Sequence, residues 1–487
     1  MDTFGYRLLP LDTHARLRRL AGCALCAGLL GLAAAEPRPG GQPSQFGERG
    51  AATARGTPEL VIGGIAEGFR GRLRLAINGT EVVELGRPGA FAFARRLPIG
   101  TRYQVTVATQ PTGQFCEVRD GRGIALSDVR DIRVRCRPGR MRSLHALGAM
   151  GDGAGLTSAF IEASDGKLYG VASRGGWRNQ GVVMRITPGG RHTVLGAFGD
   201  DVDLARPLQL AQGPNLDLYG VTRAGGAYGG GMIFRMNLDG HGFEVLYHFG
   251  NGDDGAHPGS ALLRARDGRF LGVTTTGGSG GGGTVYRYCA ERGLQVLHAF
   301  EQGGAALHSP AAELVEDEVG LLYGVAAGGG GVFVLDPEGA GYVELLALPA
   351  GWALHGLMRA SDGSFHAVMS AEGLAGRLLR IAPDGTATMR DFPGDAGAPR
   401  EPRGTLVEGD DGRLYGVSLR GGDHDLGSIY SIEPDSGRIA LHHSFGGAID
   451  TLGMLPQSSL LLSSQGLLYG STRHGGPYAA GVVFAID

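Results

Sequence analysis

What most limits how this chain can fold is a motif that recurs seven times between residues 141 and 487. Leu-Tyr-Gly ends at Gly170, Gly220, Gly324, Gly416 and Gly470. Phe270-Leu271-Gly272 takes the third place and Phe365-His366-Ala367 the fifth. Successive copies lie 50, 52, 52, 43, 49 and 54 residues apart. After each comes a glycine and a β-rich run: GVVMRI from Gly181, GMIFRM from Gly231, GTVYRY from Gly283, GGVFVL from Gly330, GRLLRI from Gly376, GSIYSI from Gly427 and GVVFAI from Gly481. A further strand ends on Leu147, Phe198, Phe249, Phe300, Leu348, Phe392 or Phe445. Three markers in register define a repeat architecture, which takes precedence over any local assignment.

Each copy holds four short apolar runs, such as ALLRARD, RFLGVTT, GTVYRYC and LQVLHAF in the third. Asp-Gly pairs sit between runs at Asp165-Gly166, Asp239-Gly240, Asp267-Gly268, Asp362-Gly363, Asp384-Gly385 and Asp411-Gly412. Such pairs supply the positive φ that a two-residue hairpin demands. Four antiparallel strands in about 50 residues make a propeller blade, so the spacing predicts an all-β fold with a seven-bladed β-propeller over 141–487. Helical repeats are excluded, because no helical period is present. The repeat opens with a lone fourth-type strand at 142–147 and finishes on a third-type strand at 481–487. The first strand is therefore expected to complete blade seven and remove two exposed edges.

Glycine accounts for 90 of 487 residues, hydrophobic residues for 42% and charged residues for 19%. That combination suits many turns around a buried core. A net charge of −3 argues against general nucleic-acid binding, which needs a basic footprint.

Ahead of the repeat, Arg16, Arg18 and Arg19 precede the apolar run Leu20 to Leu32 and then Ala33-Ala34-Ala35. Residues 1–35 read as a signal peptide, which predicts export to the periplasm or beyond the cell. No other stretch is long and apolar enough to span a membrane. Residues 36–57, rich in proline, glycine and polar residues, read as a linker. Residues 58–138 alternate apolar and polar positions around an Asn78-Gly79 hairpin signal, and read as a small β-sandwich preceding the propeller. Cys116 and Cys136 are expected to form a disulfide there, while Cys289 reads as a buried small hydrophobe.

Residues 248–288, with the pattern HxFG, GDDGAHP, LLRARDGRFLGVTTTGGSGGGGTVYRY, resemble the GloVer tandem repeat of exported bacterial proteins. The sandwich segment, through YQVTVATQPTGQFCEV and a final strand ending in Cys136, resembles an Ig-like module. The resemblances imply export and a propeller, and imply no reaction. The chain departs from the repeat pattern in two respects. The resemblance implies a C-terminal anchoring signal, yet the last strand is expected to close at Asp487 without one, and copy five lacks both Tyr-Gly and Gly-Gly.

Strand alternation places the tight turns of every blade on one face, and the longer glycine-rich loops and interblade crossings on the other. Long, varied loops on a rigid scaffold are where binding usually resides. Arg174, Arg223, Arg420 and Arg473 end the second strand just before the Gly-Gly of copies one, two, six and seven, which adjoin once the ring closes. They read either as an arc for an anionic ligand or as solvated strand ends. Trp177, Tyr228 and Tyr478 in the same loops read either as stacking surfaces for sugars or as isolated exposed residues.

The loop 277–283 lacks the following helix and the Lys-Ser/Thr pair of a phosphate cradle. Asp200-Asp201 and Asp253-Asp254 read as solvated turns, with Ca²⁺ binding the alternative. His145, His248, His298 and His443 recur on fourth strands and read as packing residues. His257, His308, His424 and His474 fall in or near the long loops without a metal-ligand spacing. No metal site, no cofactor and no catalytic motif is expected. Three functions remain open: a binding or scaffold protein contacting a glycan or surface protein, an exported propeller enzyme of lyase, hydrolase or lactonase type, and a spacer without ligand. The residues lining the central channel separate them.

Overall fold

A computed structural model describes residues 58–148, 151–156, 158–199, 205–303, 306–446 and 452–486. The expected signal peptide, the linker and Asp200-Asp201 lie outside these residues. Every regular element described is a β-strand.

Among the described residues, seven antiparallel sheets follow one another as a β-propeller, at 161–197, 207–248, 256–301, 308–347, 353–391, 400–444 and 454–486. The last takes its outer strand from the start of the repeat, where Met141–Ala146 pairs antiparallel with Val482–Ile486. Apolar clusters bridge sheets one and two, two and three, and so on around to seven. A further cluster joins Leu168, Val182 and Met184 of sheet one to Tyr469, Val483 and Ala485 of sheet seven. The ring is thereby closed. The first strands of neighbouring sheets pack on one another, so they surround the axis and the fourth strands lie outermost.

The glycine of Leu-Tyr-Gly has a packing cause. Gly220, Gly272, Gly324 and Gly470 lie beneath the rings of Phe234, Tyr286, Phe333 and Phe484 on the third strand, and a β-carbon would collide with each ring. Copy five has Ala367 at this place, and the residue opposite is Leu379, which leaves room for the methyl. A second glycine opens the third strand and packs against the next sheet. Gly181, Gly231, Gly283 and Gly427 have positive φ and touch Pro207, Pro258, Pro310 and Pro456 respectively.

Residues 59–138 form two four-stranded sheets and a short two-stranded ribbon. The sheets enclose one core that includes Ile62, Leu75, Phe91, Val105 and Ile132. Cys116 and Cys136 face each other across paired strands and are disulfide-bonded. Cys289 is only partly buried, because it is the last residue of its strand before a turn. This unit rests on the tight-turn face. The Arg72 amide donates to Asp410 Oδ2 at 2.6 Å, and the Gln110 amide donates to the Gln465 carbonyl at 2.9 Å. Turns of copies six and seven are therefore covered on that side.

Candidate binding face

The opposite face is built by strand ends, glycine loops and crossings. Trp177, Tyr228 and Tyr478 are 68%, 56% and 58% exposed there. Their loops are held from behind. Gly148 and Gly250, both at positive φ, sit against Tyr478 and Tyr228, and the Arg178 guanidinium lies 4.7 Å from the Trp177 ring centroid.

The four arginines are exposed and stand in two registers. Ala172, Thr222, Ser418 and Thr472 occupy equivalent rungs, each opposite the first residue after the third-strand glycine. Arg174 and Arg420 lie two residues beyond that rung, Arg223 and Arg473 only one. Arg420 and Arg473 still belong to their strands, where one step of register turns side chains to opposite sides, while Arg174 and Arg223 lie just past theirs. Arg420 faces Arg400 across the strand pair, and Asp425 bonds Arg400 at 2.6 Å. Arg473 reaches inward, donating to Gln457 Oε1 at 3.4 Å.

That inward direction leads to a group the sequence reading did not single out. His355, Arg403 and Gln457 hold the same place on the first strands of copies five, six and seven, beside the axis. His355 Nε2 accepts from Ser370 Oγ at 2.6 Å and from Arg403 at 3.2 Å. Burial, reinforced by the Arg403 guanidinium, pulls the His355 pKa down to about 4. The ring is thus neutral near pH 7, with its proton on Nδ1 and its other nitrogen occupied. Arg403 also lies 3.5 Å from Glu401 Oε2.

Glu401 belongs to a second unforeseen feature. Arg206, His257, Ser309, Glu401 and Leu455 each precede the proline of a first strand, and each adopts φ between 46° and 57°. Non-glycine residues rarely adopt positive φ, and such strain persists only where the surroundings enforce it. Five copies impose the same backbone on five different side chains around one mouth. His257 Nδ1 donates to the Arg223 carbonyl at 3.0 Å, and the Arg223 amide donates to the Arg206 carbonyl at 3.1 Å, so this ring adjoins the arginine positions.

Asp254, His248 and His298 have structural roles. Asp254 is buried and accepts from Tyr247 Oη at 2.8 Å and from the Gly250 amide at 3.3 Å, as a loop cap would. His248 Nδ1 accepts from the Ala227 amide at 3.1 Å, and His298 stacks on Tyr342 with centroids 3.9 Å apart. On the tight-turn side, a cleft between copies four and five is lined by Glu318, Arg359 and Asp362. Arg359 pairs with Glu318 at 2.8 Å, and Asp362 with Arg380 at 3.1 Å, so its charges are already matched. Ser364 and His366 hydrogen-bond at 2.8 Å nearby, but both are buried and out of reach of substrate. Among the described residues, the one histidine and carboxylate cluster with metal-ligand spacing has its two histidines on outer strands and its carboxylate in the crossing between them.

Residues 156–347 and 327–487 match the model of the Gloeobacter/Verrucomicrobia repeat. No curated protein matches the chain by sequence. Among solved structures, virginiamycin B lyase from Staphylococcus aureus is similar over 72% of this chain and 99% of its own, at 11% identity and a TM-score of 0.50. The extracellular domain of the putative one-component system BT4673 from B. thetaiotaomicron is similar over 76% of this chain and 46% of its own, at 12% identity and a TM-score of 0.50. At such identities the likeness is one of fold. No helix among the described residues is long and apolar enough to cross a membrane.

Proposed function

This chain belongs to the Gloeobacter/Verrucomicrobia repeat family, and from that premise we propose that it is an exported binding protein whose long-loop face holds an anionic glycan or a glycan-bearing surface protein. The observation that carries the reading is the ring of strained pre-proline residues Arg206, His257, Ser309, Glu401 and Leu455. One backbone conformation displays five chemistries around one mouth, which is how a rigid scaffold varies recognition. Arg223 and Arg473 border the ring, and Arg403 lies just inside it. Guanidinium forks suit carboxylate or sulfate groups on sugars. The exposed rings of Trp177, Tyr228 and Tyr478 offer stacking surfaces further out.

Binding is favoured over catalysis by the state of His355. A general base needs a free lone pair within reach of substrate. Here Arg403 and Ser370 already occupy that nitrogen. The docked N-terminal unit supports the choice of face, since it covers turns on the other one.

A glycan array probed with the purified protein tests this. Signal on uronic-acid or sulfated glycans is expected, with at least a tenfold loss in the double variant Arg223→Ala plus Arg473→Ala. The pair Arg174→Ala plus Arg420→Ala, in the other register, serves as the comparison. An anionic-glycan signal unchanged in both double variants would eliminate the proposal.

A further inference from the structure

The seam where the ring closes carries a cluster found at no other crossing among the described residues. His145 lies on the closing strand Met141–Ala146, and His192 begins the outer strand His192–Ala197 of sheet one. Asp152 lies in the crossing between them. One ligand-capable atom from each of the three lies within 4.8 Å of the others. His145 Nε2 and Asp152 Oδ2 are 3.1 Å apart. That is close to the roughly 3.3 Å edge of a tetrahedron of ligands about 2.0 Å from a zinc ion. Asp152 is buried, and its Oδ1 accepts from the Gly148 amide at 2.8 Å, which fixes the carboxylate as outer-shell bonds fix metal ligands. His192 Nε2 is buried with no hydrogen-bond partner. A buried polar nitrogen without a partner is costly and calls for an explanation.

The repeat supplies an internal comparison. The place of His145 is held by Tyr247 in copy two and by His298 in copy three. The place of His192 is held by Leu294 in copy three and by Tyr342 in copy four. Ring stacking across a crossing is thus a general packing device: His298 on Tyr342 repeats the parallel arrangement of His145 on His192, whose centroids are 4.2 Å apart. The carboxylate is also inherited, since Asp254 caps its loop as Asp152 does. What distinguishes the seam is that both stacked rings are imidazoles and the carboxylate faces them. Packing explains one ring on another. It does not explain a buried nitrogen left unpaired.

We propose that His145, Asp152 and His192 form a binding site for a divalent transition-metal ion, zinc by its donor set, that clamps the closing strand to sheet one. Two imidazoles and one carboxylate suit zinc, with a fourth position left for water. For both imidazole nitrogens to meet one ion, the rings must fan apart from their parallel stack. All three residues lie between 145 and 192, so the ion would brace the closing strand, which completes sheet seven by pairing with Val482–Ile486, against sheet one. Ligands that are deprotonated and preorganised only in the folded chain make binding energy into folding energy.

The test uses the full chain without a histidine tag, stripped with a chelator and titrated with zinc alone. Titration calorimetry should show one ion per chain at micromolar affinity or tighter, and thermal melting should shift upward by several degrees. His145→Tyr and His192→Tyr keep the stacking, because tyrosine already serves at both equivalent places. Each should melt like the stripped wild type, bind zinc at least tenfold more weakly and lose the upward shift. Asp152→Asn should weaken binding while retaining the Gly148 contact. Should the wild type take up less than one zinc per chain at micromolar concentrations, or both tyrosine variants bind as tightly as it does, the assignment is overturned.

Discussion

Thr112 and Asp410 bond each other twice: the Thr112 amide donates to Asp410 Oδ1 at 2.9 Å, and the Asp410 amide donates to Thr112 Oγ1 at 3.1 Å. The other Asp410 oxygen takes the Arg72 amide. One carboxylate in a hairpin turn thus caps two amides of the N-terminal unit. Asp410→Ala should cost about 2 kcal/mol of docking, because charge-assisted bonds exceed neutral ones and two amides lose their acceptor. Scanning calorimetry is expected to resolve two unfolding transitions in the variant and one in the wild type. An unaltered single transition would mean that the two units are held by other contacts.

The glycine beneath each third-strand ring predicts a coupled pair of substitutions. Gly220→Ala should destabilise by about 3 kcal/mol, since the methyl drives into Phe234 in a tightly packed core. Adding Phe234→Leu should recover part of that loss, because Ala367 opposite Leu379 is the same arrangement in copy five. A double-mutant cycle by urea denaturation measures the coupling, and strictly additive effects would contradict the steric account.

Copy five also provides a pH signature. His366 replaces the tyrosine of the motif and is buried, bonding Ser364 where Tyr169 and Tyr415 bond Asp165 and Asp411. Burial first, then the Arg380 charge, lowers its pKa to about 4. The unfolded chain therefore binds a proton that the folded chain refuses between pH 6.5 and 4. Stability contributed by the neutral ring is full above pH 6.5 and is lost as pH falls toward 4. His366→Tyr should melt less differently between pH 7 and pH 5 than the wild type does. An identical pH dependence would assign the acid sensitivity to other groups, His192 and His355 foremost.

Tyr286 and Tyr430 bury hydroxyls that have no hydrogen-bond partner, whereas Phe234, Phe333 and Phe484 fill the same place elsewhere. Burial drives both phenols far above their ordinary range. Tyr286→Phe and Tyr430→Phe should each stabilise by about 1 kcal/mol, the cost of an unsatisfied polar group relieved. Chemical denaturation of the single variants checks this, and a loss of stability in both would point to a hidden partner for the hydroxyls.

The repeat and its closing strand are legible in the sequence because the constraint is local and recurs. A glycine is needed wherever a ring lies opposite, and that need returns about every 50 residues. The arginine register is written in the sequence, since Arg174 and Arg420 stand four residues past the glycine of the motif and Arg223 and Arg473 three, but the Gly-Gly landmark alone hides it. His355 and Arg403 are not legible as a pair because 48 residues separate them and copy five is the least regular. The pre-proline ring could not be read at all. The residue before a proline ordinarily favours extended backbone, and only the crossing geometry forces His257 or Glu401 into the left-handed region. The seam cluster depends on the outer strands of sheets seven and one, whose histidines lie 47 residues apart in the sequence and meet only through packing across the crossing.

Pairing of Met141 with Ile486 places the beginning and end of the repeat one strand apart. A propeller arranged this way has no privileged starting point. The same circle of sheets could be written from any tight turn, with a short loop joining 486 to 141 and the new termini opened on the face away from the mouth. Such circular permutants would retain the mouth and its side chains. They would also convert the one junction maintained without a covalent link into a continuous hairpin.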